Sequence, residues 1–185
     1  INFYTGVPDS LLKDFCGFIS QNVNYKNHVI TANEGSAIGI ATGYHLATEK
    51  VPFVYMQNSG IGNAINPLLS LCSKEVYGIP MLIMIGWRGE PGVKDEPQHL
   101  KQGRIQEALL KALEIPYEIL SSSDSKSFNE KIDRLKKITV SENSPVVLLV
   151  KKNTFKEYKY PSENYVHSKF NRESVLKTIL KSIPY

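Results

Sequence analysis

Long apolar runs, clustered cysteines and a one-sided charge are all missing from this chain of 185 residues. No apolar stretch reaches the roughly 20 residues of a membrane-spanning helix, and we expect no signal peptide. We therefore expect no membrane partner and a cytoplasmic protein. Lys and Arg number 22 and Asp and Glu 18, and this excess of +4 forms no compact basic stripe. A nucleic-acid partner is not indicated.

Cysteine is scarce, with two residues in the chain, Cys16 and Cys72. Both lie in apolar, helix-like surroundings, where cysteine behaves as a small hydrophobic residue. Neither has a CxxC partner or a nearby pair of histidines. The sequence therefore predicts no metal site on this chain and a reducing, cytosolic setting.

Strand and helix signals alternate along residues 1–150, which we take as one domain. The predicted strands are short, nearly continuous apolar runs, and such strands are typical of a parallel sheet covered on both faces. We therefore predict a doubly wound α/β fold, mostly parallel, with helices on both faces. The predicted strands are 1–5, 28–31, 51–56, 80–85, 117–120 and 145–150. The predicted helices are one through Phe15 and Ile19 capped by Asp9 or Ser10, 34–48, one through Leu68 and Cys72, 102–113, and one from a cap at Asp124 to about Ile138.

Four loops follow the carboxyl ends of predicted strands, at 6–10, 32–36, 57–63 and 86–99. Ligands of parallel sheets bind just outside these ends. Because every unusual residue of the chain lies in one of the four loops, we expect a functional site there.

Glu34 is the most informative of these residues. It begins a predicted helix whose residues 35–44 carry no charge and are mostly small. A helix without a charged face is typical of a buried position, and small side chains let a backbone or a flat ligand approach closely. A carboxylate at that point costs free energy unless it is paired or protonated. The alternative is an ordinary first-turn glutamate that the helix dipole favours.

The loop 57–63 carries a GxG motif at Gly60 and Gly62. It fits a dinucleotide fingerprint poorly, because Ile65 occupies the third glycine position and no acidic residue ends a strand about 20 residues later. A plain glycine turn into a helix is the alternative. The polar residues of this loop suit hydrogen bonds to a polar heterocycle better than a pyrophosphate cradle; they are Gln57, Asn58 and Asn63.

Three further residues each allow two interpretations. Asp9 is either a turn or cap residue or an active-site carboxylate that relays protons. His99 is either a solvated loop residue or an acid or base near neutral pH. Arg88 is either a surface residue or a clamp for an anionic substrate.

Taken together, the four loops resemble those of the thiamin-diphosphate-dependent decarboxylases, in their pyrimidine-binding N-terminal domain, over nearly the whole chain. Within that family they are most similar to phosphonopyruvate decarboxylases and next to sulfopyruvate decarboxylases. The motifs that carry the resemblance are YTGVPDSLL at 4–12, NEG at 33–35, QNSGIGNAINPL at 57–68, GWRGEPG at 86–92 and DEPQH at 95–99.

The resemblance implies a role for each of these side chains in the decarboxylation of phosphonopyruvate to phosphonoacetaldehyde and carbon dioxide. Glu34 would hydrogen-bond the pyrimidine nitrogen of thiamin diphosphate, so that the cofactor loses its thiazolium proton and attacks the keto carbon. Asp9 and His99 would move protons around the substrate. The pyrimidine pocket would be lined by Asn58, Gly60, Gly62 and Asn63, and the substrate would meet Arg88 and Gln57.

The chain departs from the family in one respect: it lacks the acidic Gly-Asp-Gly motif of the half that binds Mg2+ and the diphosphate. We therefore expect this chain to be inactive alone. The complete site would form with a second, diphosphate-binding domain or subunit, in a homo-oligomer. The chain starts at Ile1 without a methionine and stops soon after a helical stretch, so it reads as a piece of something longer. Residues 151–185 are predicted to be a polar, aromatic linker and a helix leading to that domain, or else an extension packing back on residues 1–150.

Two alternatives stay open on the sequence. One is the α subunit of a sulfopyruvate decarboxylase, in which the two halves are separate chains. The other is a nucleotide-binding or regulatory module of the same fold class.

Overall fold

The computed structural model describes residues 1–159 and 172–182. Within them, six strands form one sheet of order β2-β1-β3-β4-β6-β5, and every neighbouring pair is parallel. This confirms the predicted α/β fold. The strands are β1 (Tyr4–Gly6), β2 (His28–Ile30), β3 (Phe53–Gln57), β4 (Met81–Gly86), β5 (Tyr117–Leu120) and β6 (Pro145–Val150). The helices are α1 (Lys13–Asn22), α2 (Glu34–Thr48), α3 (Ile61–Pro67), α4 (Pro97–Ala112), α5 (Phe128–Glu142) and α6 (Arg172–Ser182).

The core lies on both faces of the sheet and follows the two-residue period of the strands. On β3, Val54 and Met56 pack with α2, α3 and α4, while Phe53 and Tyr55 pack with α1 and α5. All six residues of β4 and all six of β6 are buried. Helices on both faces account for the continuous apolar runs of the central strands.

Three predicted helix starts are wrong. Helix α1 begins at Lys13 without a side-chain cap, and the Asp9 carboxylate instead accepts the Leu11 N–H at 3.0 Å, which is an Asx turn. Helix α4 begins at Pro97, five residues early, because proline at the first helical position sacrifices no hydrogen bond. Asp124 does not cap α5: it closes a capping box with Ser121 in the preceding 3-10 turn.

The small-residue helix α2 is buried on one side only, so the prediction of a buried helix holds for one face of it. Ala37, Ile38 and Ala41 lie in the core. On the other side Ile40 is 39% and Leu46 61% exposed. The absence of charge therefore does not mean that this chain alone covers the helix.

The segment after β6 first returns to α1. Phe155 stacks 6.2 Å from Phe15, and the backbone N–H of Tyr158 donates to Asp14 Oδ1 at 2.9 Å. The predicted linker residues 160–170 lie outside the described residues. That α6 leads to a further domain stays a prediction. Among the residues described, no helix is long and apolar enough to cross a membrane.

Candidate functional site

The four loops predicted to carry the site do meet at the carboxyl edge of the sheet. The loop after β1 is tied to the loop after β2 by the Thr31 N–H, which donates to the Gly6 carbonyl at 3.0 Å. The loop after β1 also meets the β4 loop through Ser10, whose Oγ accepts from Arg88 Nη1 at 2.8 Å. Because parallel strands end at the same edge, their side chains come together although they are far apart in sequence.

Glu34 lies at the first position of α2, and its side chain crosses to the start of α3. Asn33 caps the helix by accepting the Ser36 N–H at 2.8 Å, which fixes the backbone from which Glu34 projects. Glu34 Oε2 then accepts from Asn63 Nδ2 at 2.7 Å. The carboxylate is half-buried and paired, as its position requires.

Two glycines allow this close approach between α2 and α3. A Cβ on Gly60 would lie 2.5 Å from Cγ and Cδ of Glu34, and a Cβ on Gly35 would lie 2.7 Å from the carbonyl oxygen of Asn63. Both distances are well below ordinary contact, so a side chain at position 35 would meet the backbone of Asn63, and one at position 60 would displace the side chain of Glu34. Gly60 thus leaves the space that the side chain of Glu34 occupies.

Two other residues of the β3 loop, Gly62 and Gln57, leave room or hydrogen-bonding groups for a ligand. A Cβ on Gly62 would meet nothing within 4 Å, so the surface at Gly62 is open. Gln57 is half-buried, and its Nε2 donates to the hydroxyl of Ser59 at 2.5 Å. One amide hydrogen and the amide oxygen of Gln57 stay available for a ligand.

Asn58 does not fit its predicted place in the pocket lining. Its side chain is fully buried, and its Nδ2 donates to the Arg88 carbonyl at 2.8 Å. Its Oδ1 accepts the Arg88 N–H at 3.2 Å. Because both ends of the amide are engaged with this backbone, Asn58 acts by joining the β3 and β4 loops rather than by touching a ligand.

Arg88 is held by Asp95, a residue to which the sequence analysis gave no role. Arg88 Nε donates to Asp95 Oδ2 at 2.9 Å and Nη2 to Oδ1 at 2.5 Å. Asp95 also accepts the N–H groups of Gly89 and Glu96, each at 2.8 Å. The hydrogen bonds from Arg88 hold the pKa of Asp95 well below its usual range. The sequence signal that could have predicted this ion pair is an acidic residue seven positions after an arginine in a turn-rich loop.

Asp9 is buried, at 8% exposure, and lies against the end of β4, where a Cβ on Gly86 would come within 2.6 Å of its Oδ2. Burial raises the pKa of Asp9, and the Leu11 N–H and the charge of Arg88 partly oppose that rise. Such a carboxyl holds a proton more readily than an ordinary aspartate, which suits proton transfer.

His99 lies in the first turn of α4 and is half-buried. Its backbone is locked against the β4 loop, because a Cβ on Gly89, whose φ is +69°, would clash with the His99 carbonyl. Trp87 Nε1 also binds α4 to the β4 loop, because it donates to the Gly103 carbonyl at 2.9 Å. In the described part of the chain the imidazole ring has no hydrogen-bond partner, so the structure places His99 beside the loops without joining it to Asp9 or Glu34.

The chain was then compared with known proteins. The family described as "Thiamine pyrophosphate enzyme, N-terminal TPP binding domain" matches residues 1–113. Sulfopyruvate decarboxylase subunit alpha of Methanococcus maripaludis is 37% identical over 117 residues, which are 63% of this chain and 67% of that protein. Phosphonopyruvate decarboxylase of Streptomyces viridochromogenes is 36% identical over 115 residues, 62% of this chain but 28% of that protein.

A solved structure supports the fold independently. Benzoylformate decarboxylase from Polynucleobacter necessarius matches with a TM-score of 0.57 and 15% identity, over 98% of this chain and 33% of that one. The chain therefore spans about two thirds of the α subunit, and about a third or less of the phosphonopyruvate and benzoylformate decarboxylases. The family match covers more than half of the chain and includes Asp9, Glu34, the 57–63 loop, Arg88 and His99, so the chain belongs to the thiamine pyrophosphate enzymes, as their N-terminal TPP-binding domain.

Proposed function

We propose that this chain supplies the pyrimidine half of the active site of a thiamin-diphosphate-dependent 2-oxo acid decarboxylase. The observation that carries the proposal is the position of Glu34 at the start of α2. Its carboxylate accepts a hydrogen bond from Asn63 and packs closely against Gly60. Its second oxygen, Oε1, has no hydrogen-bond partner in the described residues.

The arrangement fits an aminopyrimidine ring. Oε1 of Glu34 is a fixed acceptor for a ring N–H, and Asn63 keeps the carboxylate from turning away. When bound, the cofactor supplies the electron sink that decarboxylation needs. Glu34 holds the proton on the pyrimidine nitrogen, and Asn63 orients Glu34. The polar surface of Gln57 lies on the next loop.

Asp9 and Arg88 act together at the substrate end of this proposal. Burial keeps the pKa of Asp9 raised, so Asp9 can hold a proton and deliver it to a developing product. Arg88 is fixed by Asp95 and by Ser10, and its charge faces the anionic substrate. His99, in the first turn of α4 after the β4 loop, is the third group that we propose for proton exchange.

Phosphonopyruvate is the substrate that we propose, with phosphonoacetaldehyde and carbon dioxide as products. The support is the relative named for that activity, together with an arginine held in place by Asp95 and Ser10. Sulfopyruvate is the second candidate, and two α subunits at 37% and 39% identity favour it. Both substrates carry a tetrahedral oxyanion on the methyl carbon of pyruvate, so the same cations serve either.

The proposal requires a second component. No cluster of three or more acidic, histidine or cysteine side chains able to hold a metal occurs in residues 1–159 and 172–182. We therefore propose that Mg2+ and the diphosphate are held by another domain or subunit, as the name "subunit alpha" of the relatives implies for those enzymes. The complete site then lies between two such halves in an oligomer.

The test is carbon dioxide release by the full gene product with its diphosphate-binding half, thiamin diphosphate and Mg2+. The substrates are phosphonopyruvate, sulfopyruvate and pyruvate, each at equal concentration. We expect the highest kcat/KM with phosphonopyruvate. A higher value with sulfopyruvate would transfer the proposal to the second candidate, and no release from any of the three would refute the decarboxylase proposal.

A further inference from the structure

A polar cleft of about 540 Å3 opens at the carboxyl edge of the sheet. Ser10, Lys13 and Arg88 form one side, and residues 152–157 after β6 form the other. It is bounded by the start of α1, whereas Glu34 starts α2 on the opposite face of the sheet. Ser10 and Arg88 belong to the family motifs, whereas Lys13 and Lys152 lie outside them and have no role so far.

Three cations from three separate elements line the cleft. Lys13 is the first residue of α1, Arg88 follows β4, and Lys152 follows β6. Across the described ranges, neither lysine forms an ion pair. Of the five N–H donors of Arg88, Asp95 and Ser10 take three, so two are left for a ligand.

Two acids, Asp14 and Glu157, share the cleft with these cations. Asp14 is engaged in part, since its Oδ1 accepts the backbone N–H of Tyr158. Glu157 is exposed and lies toward the far end of the lining segment. The charge of Arg88 is already paired with Asp95, so the two lysines are the unpaired cations of the lining, and the hydroxyl of Ser10, which accepts from Arg88, still has a hydrogen to donate.

The cleft also adjoins the predicted proton-transfer residue. Asp9 immediately precedes Ser10, and its carboxylate lies against Gly86, two residues before Arg88. The charge of Arg88 acts on Asp9 directly. A substrate whose keto acid end lies at Asp9 thus has the cleft beside it.

We propose that this cleft binds the tetrahedral oxyanion, phosphonate or sulfonate, of the substrate, and that Lys13 and Lys152 determine specificity for such substrates over pyruvate. The inference rests on the proposed function, because it assigns a place to one group of that substrate. A tetrahedral dianion or monoanion meets separate point charges from several directions, which two lysines and the free edge of a guanidinium provide. Pyruvate lacks that group and gains nothing from the two lysines.

The experiment compares two double variants of the complete enzyme. Lys13→Gln/Lys152→Gln removes two charges from the cleft. The control Lys26→Gln/Lys111→Gln removes the same charge at two exposed lysines, one before β2 and one at the end of α4, both at the opposite edge of the sheet. We expect the ratio of kcat/KM for the oxyanion substrate to that for pyruvate to fall about tenfold in the cleft variant, and to stay unchanged in the control.

A second measurement keeps this inference separate from the decarboxylase proposal. Thermal unfolding is followed with methylphosphonate and with methanesulfonate, neither of which can be decarboxylated. The wild type and the control variant should be stabilised by at least one of the two, and the cleft variant by neither. If the wild type is stabilised but releases no carbon dioxide, the decarboxylase proposal fails and the oxyanion site survives. Equal responses of the two double variants, or no stabilisation of the wild type, overturn the oxyanion site.

Discussion

Replacing Gly60 by alanine tests the geometry of Glu34 without touching Glu34 itself. Gly60 has φ −67° and ψ −18°, so alanine adopts its backbone conformation without strain. The added Cβ would lie 2.5 Å from Cγ and Cδ of Glu34, whereas carbon atoms pack at about 3.5–4.0 Å. The side chain of Glu34 must therefore move by about 1 Å or more.

The effect on stability should be small. Alanine at a helix-compatible position gains about 0.4–1 kcal/mol through the unfolded state, and loss of the hydrogen bond from Asn63 to Glu34 costs about 1 kcal/mol. The two nearly cancel, so the melting temperature should change by no more than about 4 °C. Activity should fall about a hundredfold, because a displacement of about 1 Å in a positioning group can cost that much.

The assay is kcat for carbon dioxide release by the assembled enzyme, with thermal unfolding measured on the same preparations. Gly43→Ala is the matched control, since Gly43 is also helical and a Cβ there would meet nothing within 4 Å. It should stabilise α2 by about 0.5–1 kcal/mol and keep activity. A Gly60→Ala enzyme that folds and turns over like wild type would refute the reasoning.

Three further perturbations test other parts of the structure. Asp9→Asn should raise the melting temperature at pH 7, because burial makes the ionised carboxylate costly. The gain should vanish below the ordinary pKa of 3.8, where Asp9 is protonated in both states, and a stability gain at pH 3 would contradict this. Asn58→Ala should destabilise the chain by about 1–3 kcal/mol in urea unfolding, since the Arg88 carbonyl loses the hydrogen bond from Asn58 while the Arg88 N–H keeps the Gly86 carbonyl as acceptor; a loss under about 0.5 kcal/mol would contradict the bridging role. Burial raises the pKa of Cys16 and of Cys72 to about 11. Iodoacetamide at pH 8 should therefore label the native chain about a hundredfold more slowly than the unfolded chain. Equal labelling rates would contradict the raised pKa values.

The strands were predictable because their burial is written into the sequence as apolar runs. β5 and β6 have the predicted bounds, and α2 begins and ends where expected. Helix starts failed where a side-chain hydrogen bond competes with a cap: Asp9 and Asp124 both bond to backbone groups outside the helices they were expected to begin. A sequence shows that an aspartate can cap, but the tertiary fold decides which N–H it meets.

The candidate site was predictable as a set of loops rather than as a set of contacts. Glu34 was found because a carboxylate before an uncharged helix is unusual, and the structure explains Gly60 by the approach of that side chain. The roles of Asn58 and Asp95 were not predictable, because each depends on a partner backbone that only the fold brings near. In the GxG motif, Gly60 packs against the side chain of Glu34.

The most direct test of the account is turnover of the assembled enzyme carrying Glu34→Gln. Glutamine keeps the size of the side chain and removes its charge, so that it no longer holds a proton on the pyrimidine nitrogen. We predict a fall in kcat of about a hundredfold or more, with thermal unfolding close to that of wild type. Full turnover by the Glu34→Gln enzyme would contradict the central claim.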